Sequence, residues 1–339
     1  VKIAVVGVTG VVGETILRVL DERNVAVEEL GAFASRDRDE PLVWRDRPWP
    51  IRKATTEALK SGSFDAVFFA SSDDASADLV KHAVAAGAVV IDNSSTFRLA
   101  EGVPLVVPEV NPDHAGPSDA IFPVANCTAI VLCVGIAPIA RGPGLRSVRV
   151  ATYQAVSGAG KAGLEALAEE ERAEFTLEQS SVASPFAAQI FRNVIPLVGS
   201  SFDENGDSGE EKKLADETRK ILALPHLHVA ATTVRVPVRY AHSEAVFLET
   251  ERDTSVAELA TLLGAAKGVR YHRDGIVTPR DVEGQDLVHV ARLRAEGGSK
   301  RHFQAWVVGD QVRKGAATNA VQILELLVER GRFAAAVRA

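Results

Sequence analysis

An α/β fold in two parts, a doubly wound parallel sheet plus an α+β domain with a mixed sheet, is predicted by three features of the sequence. Apolar runs of strand length alternate with helical stretches through the first part of the chain, and a glycine-spaced loop joins the first run to the first helix. Beyond about residue 126 the pattern changes to longer connections and amphipathic strands. A chain of 339 residues is long enough for about two such domains.

The first strand is Val1 to Val6, followed by Gly7-Val8-Thr9-Gly10-Val11-Val12-Gly13 and by a helix in which Ile16, Leu17 and Leu20 recur at helical spacing. Glycines there permit a tight turn and let the backbone approach a pyrophosphate, which would rest on the helix N-terminus. Gly7, Thr9, Gly10, Val11, Val12 and Gly13 are therefore candidate cofactor residues, although the G-x-x-G-x-x-G spacing also suits a turn that binds nothing. The second strand, near Glu29 to Ala34, runs into Ser35-Arg36-Asp37-Arg38. A hydroxyl and a guanidinium at that edge suit a ribose 2′-phosphate, which favours NADP(H) over NAD; a solvated charged loop is the competing reading. Strand-like runs at Ala66–Ala70, Val89–Asp92 and Leu105–Val107, with a helical stretch at Ser76–Ala86, complete a Rossmann-like domain.

The remaining strands are expected at Val148–Val156, Val229–Val236, Ala245–Glu249 and Val288–Leu293, and a helix at Ala317–Arg330. Ser200–Gly209 reads as a loop before a helix that Ser208 would cap toward Glu211. A net charge of −7 with scattered basic residues excludes a nucleic-acid scaffold. The longest apolar stretch, Ala129 to Ala140, is broken by Gly135 and Pro138, so no membrane span is expected. Two cysteines six residues apart give neither a disulfide framework nor a metal cluster. With an opening segment that lacks the regions of a signal peptide, they point to the cytoplasm.

Cys127 stands in Asn126-Cys127-Thr128, between a strand-like run and the helical run that begins at Ala129. Unpaired N–H groups opening a helix favour the thiolate, so a cysteine there can be a nucleophile; an inert, packed thiol is the alternative. Arg98, in Asp92-Asn93-Ser94-Ser95-Thr96-Phe97-Arg98 just past a strand, is placed to grip an oxyanion or to be an ordinary surface arginine. Four further segments stand out: Gln154 to Gly160, Glu210-Glu211-Lys212-Lys213, Arg235 to His242, and Lys314 to Asn319.

In order and spacing along almost the whole chain, these segments resemble the aspartate-β-semialdehyde dehydrogenase family. The resemblance implies reversible NADPH-dependent reduction of L-aspartyl-4-phosphate to L-aspartate 4-semialdehyde with release of phosphate, a step toward lysine, methionine and threonine. It implies Cys127 as nucleophile, His242 as general acid/base and Gln154 as an aid to orienting the acyl intermediate. Arg235 matches the residue that grips the substrate carboxylate, Glu210 one near the substrate amine, and Arg98 with Lys213 the phosphate site. Asn319 matches a position at the nicotinamide end, and Ser157 with Gly158 a turn beside the cofactor. It further implies a homodimer through the second-domain sheet and a discontinuous cofactor domain, residues 1–125 with 315–339, enclosing a catalytic domain at 126–314. Ala129 replaces the second threonine common after the Cys-Thr pair, and Ser71-Ser72-Asp73-Asp74 is more acidic than the family's usual turn.

The chemistry suits these residue types. A thiolate splits acyl transfer from hydride addition, backbone N–H groups with Asn126 can meet oxyanion charge, and an imidazole can take the thiol proton and return it. Structural readings compete: Lys213 and Glu217 are spaced as an ordinary surface pair, and Arg235 suits a solvated edge strand. On an unbroken strand Arg235 and His242 would face opposite ways, so a turn or bulge is expected between Tyr240 and His242. N-acetyl-glutamyl-phosphate reductase is the second reading, although a Gly-Cys-Tyr context would be expected there. A catalytically silent NADPH-binding regulator is the third.

Overall fold

A strand buried on both faces must lie inside a sheet, and β1 (Lys2–Val6), with Ile3 to Val6 shielded from solvent, is such a strand. The computed structural model describes residues 1–176 and 182–333. They form two units, one built from Val1–Ala125 and the chain from Ala316 onward, the other from Asn126–Gly315. The part of the expected cofactor domain at 334–339 lies outside the described residues.

In the first unit β1 is followed by α1 (Val11–Glu22), β2 (Glu29–Ala34), β3 (Leu42–Trp44), β4 (Arg47–Trp49), β5 (Ile51–Lys53) and α2 (Thr56–Ser61). Then come β6 (Ala66–Phe69), α3 (Asp73–Ala85), β7 (Val89–Asp92) and β8 (Ile121–Pro123). The main sheet runs β5-β2-β1-β6-β7-β8 with every ladder parallel. Chain order reverses between β1 and β6, which opens a ligand crevice beyond their carboxyl ends. The helix Thr318–Glu329 belongs to this unit, tied to α1 by a salt bridge from Arg23 Nη2 to Glu325 Oε2 at 2.6 Å. β3 and β4 form a separate hairpin whose turn residues, Arg45 and Asp46, both have positive φ. Arg45 Nε and Trp44 Nε1 both donate to the Asp21 carboxylate, which fastens the hairpin to α1.

One expected strand is absent. Leu105–Val107 is buried but pairs with no strand, because side-chain amides satisfy its peptide groups. Asn111 accepts from Val107 N and donates to Leu105 O, while Asn319 donates to Val106 O. The acidic loop after β6 also has a structural account: Ser72 caps α3, and the Asp73 carboxylate accepts from both the backbone and hydroxyl of Ser95.

The second unit contains α4 (Cys127–Arg141), β9 (Leu145–Gln154), α5 (Gly160–Thr176), α6 (Gly209–Leu222), β10 (His228–Arg235) and β11 (His242–Thr250). These are followed by α7 (Val256–Gly264), β12 (Val269–Tyr271), α8 (Pro279–Val282), β13 (Val288–Ala295) and β14 (His302–Gly309). Its sheet, ordered β10-β9-β11-β14-β13-β12, is mixed: β10 with β9 and β12 with β13 are parallel, the other pairs antiparallel. One face, carrying Val150, Thr152, Gln154, Val246 and Val307, is buried. α4 packs against β9, β11, β13 and β14, and α6 against β10. α4 is apolar around most of its circumference, as a helix shielded on all sides must be. On the opposite sheet face Tyr153 and Phe247 remain more than a third exposed.

Candidate active site

α4 begins where its cap begins. Asn126 Oδ1 accepts from Thr128 N at 2.9 Å and Ala129 N at 3.2 Å, fixing Cys127 as the first helical residue at the positive end of the helix. Cys127 is partly exposed, whereas Cys133, one and a half turns further along, is buried and its thiol is pushed up by that burial. Gly315 packs against Cys127: a β-carbon there would lie 2.9 Å from Cys127 Cβ.

The partners of Cys127 lie in a row across three strands. Arg235 pairs with Gln154 in the β10–β9 register, and His242 falls opposite Gln154 because Ser243 pairs with Tyr153. All three therefore lie on the buried face. This is possible because the strand ends at Arg235 and a new one begins at His242. The connection between them is secured by Val156 N to Val238 O and Ser157 N to Arg239 O, and Ala241 enters β11 with φ of +66°. The expected irregularity is thus a six-residue crossing rather than a local bulge.

His242 Nε2 lies 3.5 Å from Cys127 Sγ. Its other nitrogen, Nδ1, accepts from Ala155 N at 3.0 Å, and the same residue's carbonyl accepts from Arg235 Nη1 at 2.7 Å. Burial, reinforced by the Arg235 guanidinium, holds the imidazole well below its usual range. Burial lowers Arg235 as well, against the opposing influence of Cys127 and Glu210. Arg235 Nε has no hydrogen-bond partner, and the guanidinium lies 5.6 Å from the Phe186 ring centroid. Gly158 leaves space here, since a β-carbon would come within 2.8 Å of Arg235 Nη1 and 3.4 Å of His242 Cε1.

α6 supplies the third wall. Ser208 and Glu211 form the expected capping box. Glu210 Oε1 accepts from Asn126 Nδ2 at 3.0 Å and Gln154 Nε2 at 3.1 Å, so it joins the cap of α4 to the end of β9. Lys213 lies one turn on along the same helix, half-buried. Glu217 overturns its reading as half of a surface pair: it is buried, and its Oε2 accepts from Asn126 N at 2.5 Å. Sequence reasoning missed Glu217 as well as Gly315 and Ala155. The seven-residue step from Glu210 to Glu217, which puts both on one helix face, was the available signal for the first.

Ser157 lies in this unit with its hydroxyl committed: it donates to Arg239 O and accepts from Gln311 Nε2. In the first unit Arg98 donates from Nε to Val124 O and from Nη2 to Asn93 O, both at 2.9 Å, which holds the side chain against the carboxyl end of the sheet. Asn319 is buried, with its amide on Val106 O.

The glycine loop fits a dinucleotide. Gly7 has φ of +90°, and a β-carbon there would lie 2.2 Å from Ala70 O, the residue after β6. A β-carbon on Gly13 would lie 2.2 Å from Gly7 O. Gly10 caps α1 without a side-chain hydrogen bond, and Thr9 precedes it in the turn; Val11, Val12 and Gly13 thus form a first turn whose N–H groups no side chain caps. Ser35 and Arg36 follow β2 directly and are exposed.

Comparisons with known proteins place the chain among its relatives. Residues 2–117 match the family description "Semialdehyde dehydrogenase, NAD binding domain", and residues 136–314 match "Semialdehyde dehydrogenase, dimerisation domain". Aspartate-semialdehyde dehydrogenase of Aquifex aeolicus is 39% identical over 97% of this chain and 98% of its own length. Aspartate-semialdehyde dehydrogenase 2 of Vibrio cholerae is 40% identical, covering 96% and 97%. The crystal structure of aspartate semialdehyde dehydrogenase II from Vibrio cholerae complexed with ASA superposes with a TM-score of 0.90 at 39% identity, over 97% of this chain and 98% of the other.

Proposed function

Because the chain belongs to the aspartate-semialdehyde dehydrogenase family, we propose that it reduces L-aspartyl-4-phosphate to L-aspartate 4-semialdehyde and phosphate, reversibly, through a thioester on Cys127. The observation that carries this reading is the placement of Cys127 Sγ at a helix N-terminus, 3.5 Å from His242 Nε2.

Acyl transfer begins with the thiolate, which the helix terminus and the His242 N–H favour. Arg235, with an unpaired Nε in a buried site, is the proposed anchor for the substrate carboxylate. Glu210 is the proposed partner of the substrate amine, held in place by Asn126 and Gln154. Lys213 and Arg98 are the proposed phosphate ligands. As the carbonyl oxygen gains charge, the Asn126 side-chain amide is the donor assigned to it, Thr128 N and Ala129 N being spent on the Asn126 cap; one such donor is typically worth about 3 kcal/mol.

The nicotinamide group supplies a hydride to the acyl carbon when the cofactor is bound. Gly7, Thr9, Gly10, Val11, Val12 and Gly13 are the proposed pyrophosphate cradle. Ser35 and Arg36, exposed at the end of β2, favour NADP(H) through its 2′-phosphate. Ser157, Gly158 and Asn319 retain the cofactor-side roles that the resemblance assigns, with Gly158 providing room rather than a contact. A homodimer through the second unit's sheet is proposed from the partly exposed Tyr153 and Phe247 on its open face. No helix among the described residues is long and apolar enough to cross a membrane, and no cluster of metal-ligating side chains occurs among them. A free reactive thiol suits a reducing compartment, for which the cytoplasm is the proposed location.

The reading is tested by phosphate-dependent reduction of NADP with aspartate semialdehyde and with N-acetyl-glutamate semialdehyde. Turnover of the first, absent in Cys127→Ala, is the expected result. Preference for the acetylated aldehyde, or turnover of neither, refutes it.

A further inference from the structure

We infer that Phe186 is a positioning residue for the substrate carboxylate: the segment 184–198, bridged to the edge strand β10, sets this ring against the Arg235 guanidinium while Arg235 Nε stays unbonded. This deepens the reading of Arg235 as the carboxylate anchor and rests on it.

A guanidinium keeps its charge wherever it is placed, so a buried one must be matched by something. Arg235 is buried, and Glu210 and Cys127 act on it only through space. Its Nη1 is spent on Ala155 O at 2.7 Å, and its Nε has no partner. Nε and Nη2 share one planar edge of the group, the kind of edge that meets both oxygens of a carboxylate.

One segment constrains both the backbone and the side chain of this residue. Arg235 N donates to Ile195 O at 2.8 Å and Ile195 N to Arg235 O at 2.9 Å, an isolated antiparallel bridge on the open side of β10. Earlier in the same segment Phe186, half-buried, lies beneath the guanidinium carbon, which stands 5.6 Å from the ring centroid. That is within reach of a cation–π contact. The segment is itself tied down by α5. Glu170 Oε2 accepts from Ile190 N at 2.7 Å and Phe191 N at 2.8 Å, and Arg192 Nη1 pairs with Glu174 Oε1 at 2.8 Å. Phe186 also packs against the apolar cluster that contains Val156, Ile190 and Ile195. The ring is therefore placed by the fold before any ligand arrives.

An aromatic ring suits this position better than an acid does. A carboxylate against Arg235 would neutralise it and occupy the donors that the substrate needs. The face of a phenyl ring offsets part of the cost of burying the cation, yet accepts none of its strong hydrogen bonds. Arg235 is thus kept charged, dry on one side and oriented, with its binding edge unspent. A ring that merely filled the apolar cluster would be indifferent to the charge of the ligand, and that difference can be measured.

Phosphate-dependent NADP reduction by the full-length enzyme is compared with aspartate semialdehyde and with 3-aminopropanal, the same aldehyde without its carboxylate. Wild type should favour the first by about 10²-fold or more in kcat/KM, and Arg235→Leu should erase that preference. Phe186→Leu keeps an apolar side chain but loses the π face. It should raise KM for aspartate semialdehyde about 5- to 30-fold with kcat within about twofold, and leave kcat/KM for 3-aminopropanal unchanged. Phe186→Tyr keeps the ring and should restore the wild-type KM. Equal losses on both aldehydes, a fall in kcat with KM unaltered, or no rescue by tyrosine would overturn the inference. If Phe186→Leu folds poorly by its urea midpoint, Phe186→Met, which also lacks a π face, takes its place with the same expected values. Should Arg235→Leu leave the preference intact, the anchor reading fails and the inference with it. Should Arg235→Leu erase the preference while Phe186→Leu leaves KM unmoved, the inference alone fails.

Discussion

The two units position chemistry by opposite means. In the first, the proposed cofactor cradle is made by what is missing: Gly7 and Gly13 lie where any β-carbon would sit about 2.2 Å from a carbonyl oxygen. In the second, the proposed catalytic cysteine is held by side chains that interlock, Asn126 capping α4, Glu217 holding Asn126 N and Glu210 joining Asn126 to Gln154. A cradle built from backbone is encoded in a single short stretch of chain. An interlocked site needs five segments to arrive together, and each member is supported by at least one other.

Substitutions in either unit can break or sharpen that contrast. The largest effect is expected from Cys127→Ala, which should lower kcat by about 10⁴-fold or more while leaving NADPH binding, followed by fluorescence, unaltered. Glu217→Ala removes the buried acceptor of Asn126 N and should cost about 2 to 3 kcal/mol in urea denaturation, with slower alkylation of Cys127. Gly13→Ala should weaken NADPH by about tenfold and destabilise the fold by about 1 to 3 kcal/mol, yet leave the alkylation rate of Cys127 unchanged. If it silences Cys127 as well, the division of labour between the units is wrong. Arg36→Ala should cost about 1 kcal/mol in NADPH affinity and almost nothing with NADH. Equal losses would remove the 2′-phosphate assignment.

The smallest expected effect lies in pH dependence. Glu244 is fully buried on β11, neither carboxyl oxygen has a hydrogen-bond partner, and burial raises its pKa well above 4.5. Below that value folded and unfolded chains are both protonated there. As pH rises past it the unfolded carboxyl ionises while the native one keeps its proton, so this residue's contribution to stability is lost as pH climbs toward the folded pKa. Glu244→Gln should therefore lose less stability than wild type between pH 5 and pH 8, as compared by urea midpoints. An identical slope would show that the native carboxyl ionises without penalty.

Much of the first unit was legible because its signals are local. The buried run Ile3–Val6, the glycine spacing and the helix that follows are contiguous, and parallel strands follow from their alternation with helices. Leu105–Val107 misled for a physical reason: apolar burial looks like a strand, but amides from Asn111 and Asn319 replace the ladder. In the second unit the residue types at the site were readable and their arrangement was not. Arg235, Gln154 and His242 line up only because β9 lies between β10 and β11, an order no spacing reveals. Glu217 was obscured by Lys213, whose four-residue offset is the usual mark of a solvated pair. Ala155 was invisible in principle, since it acts through its peptide group and its side chain says nothing of that.

The helix Thr318–Glu329 joins the sheet that begins at Lys2, whereas Asn126–Gly315 is continuous. During synthesis the interior stretch is therefore complete before the ribosome has delivered the piece that finishes its neighbour. Nascent polypeptide should gain its sulfhydryl pocket first and its capacity to hold nucleotide last, so ordering by birth runs opposite to ordering along the sequence.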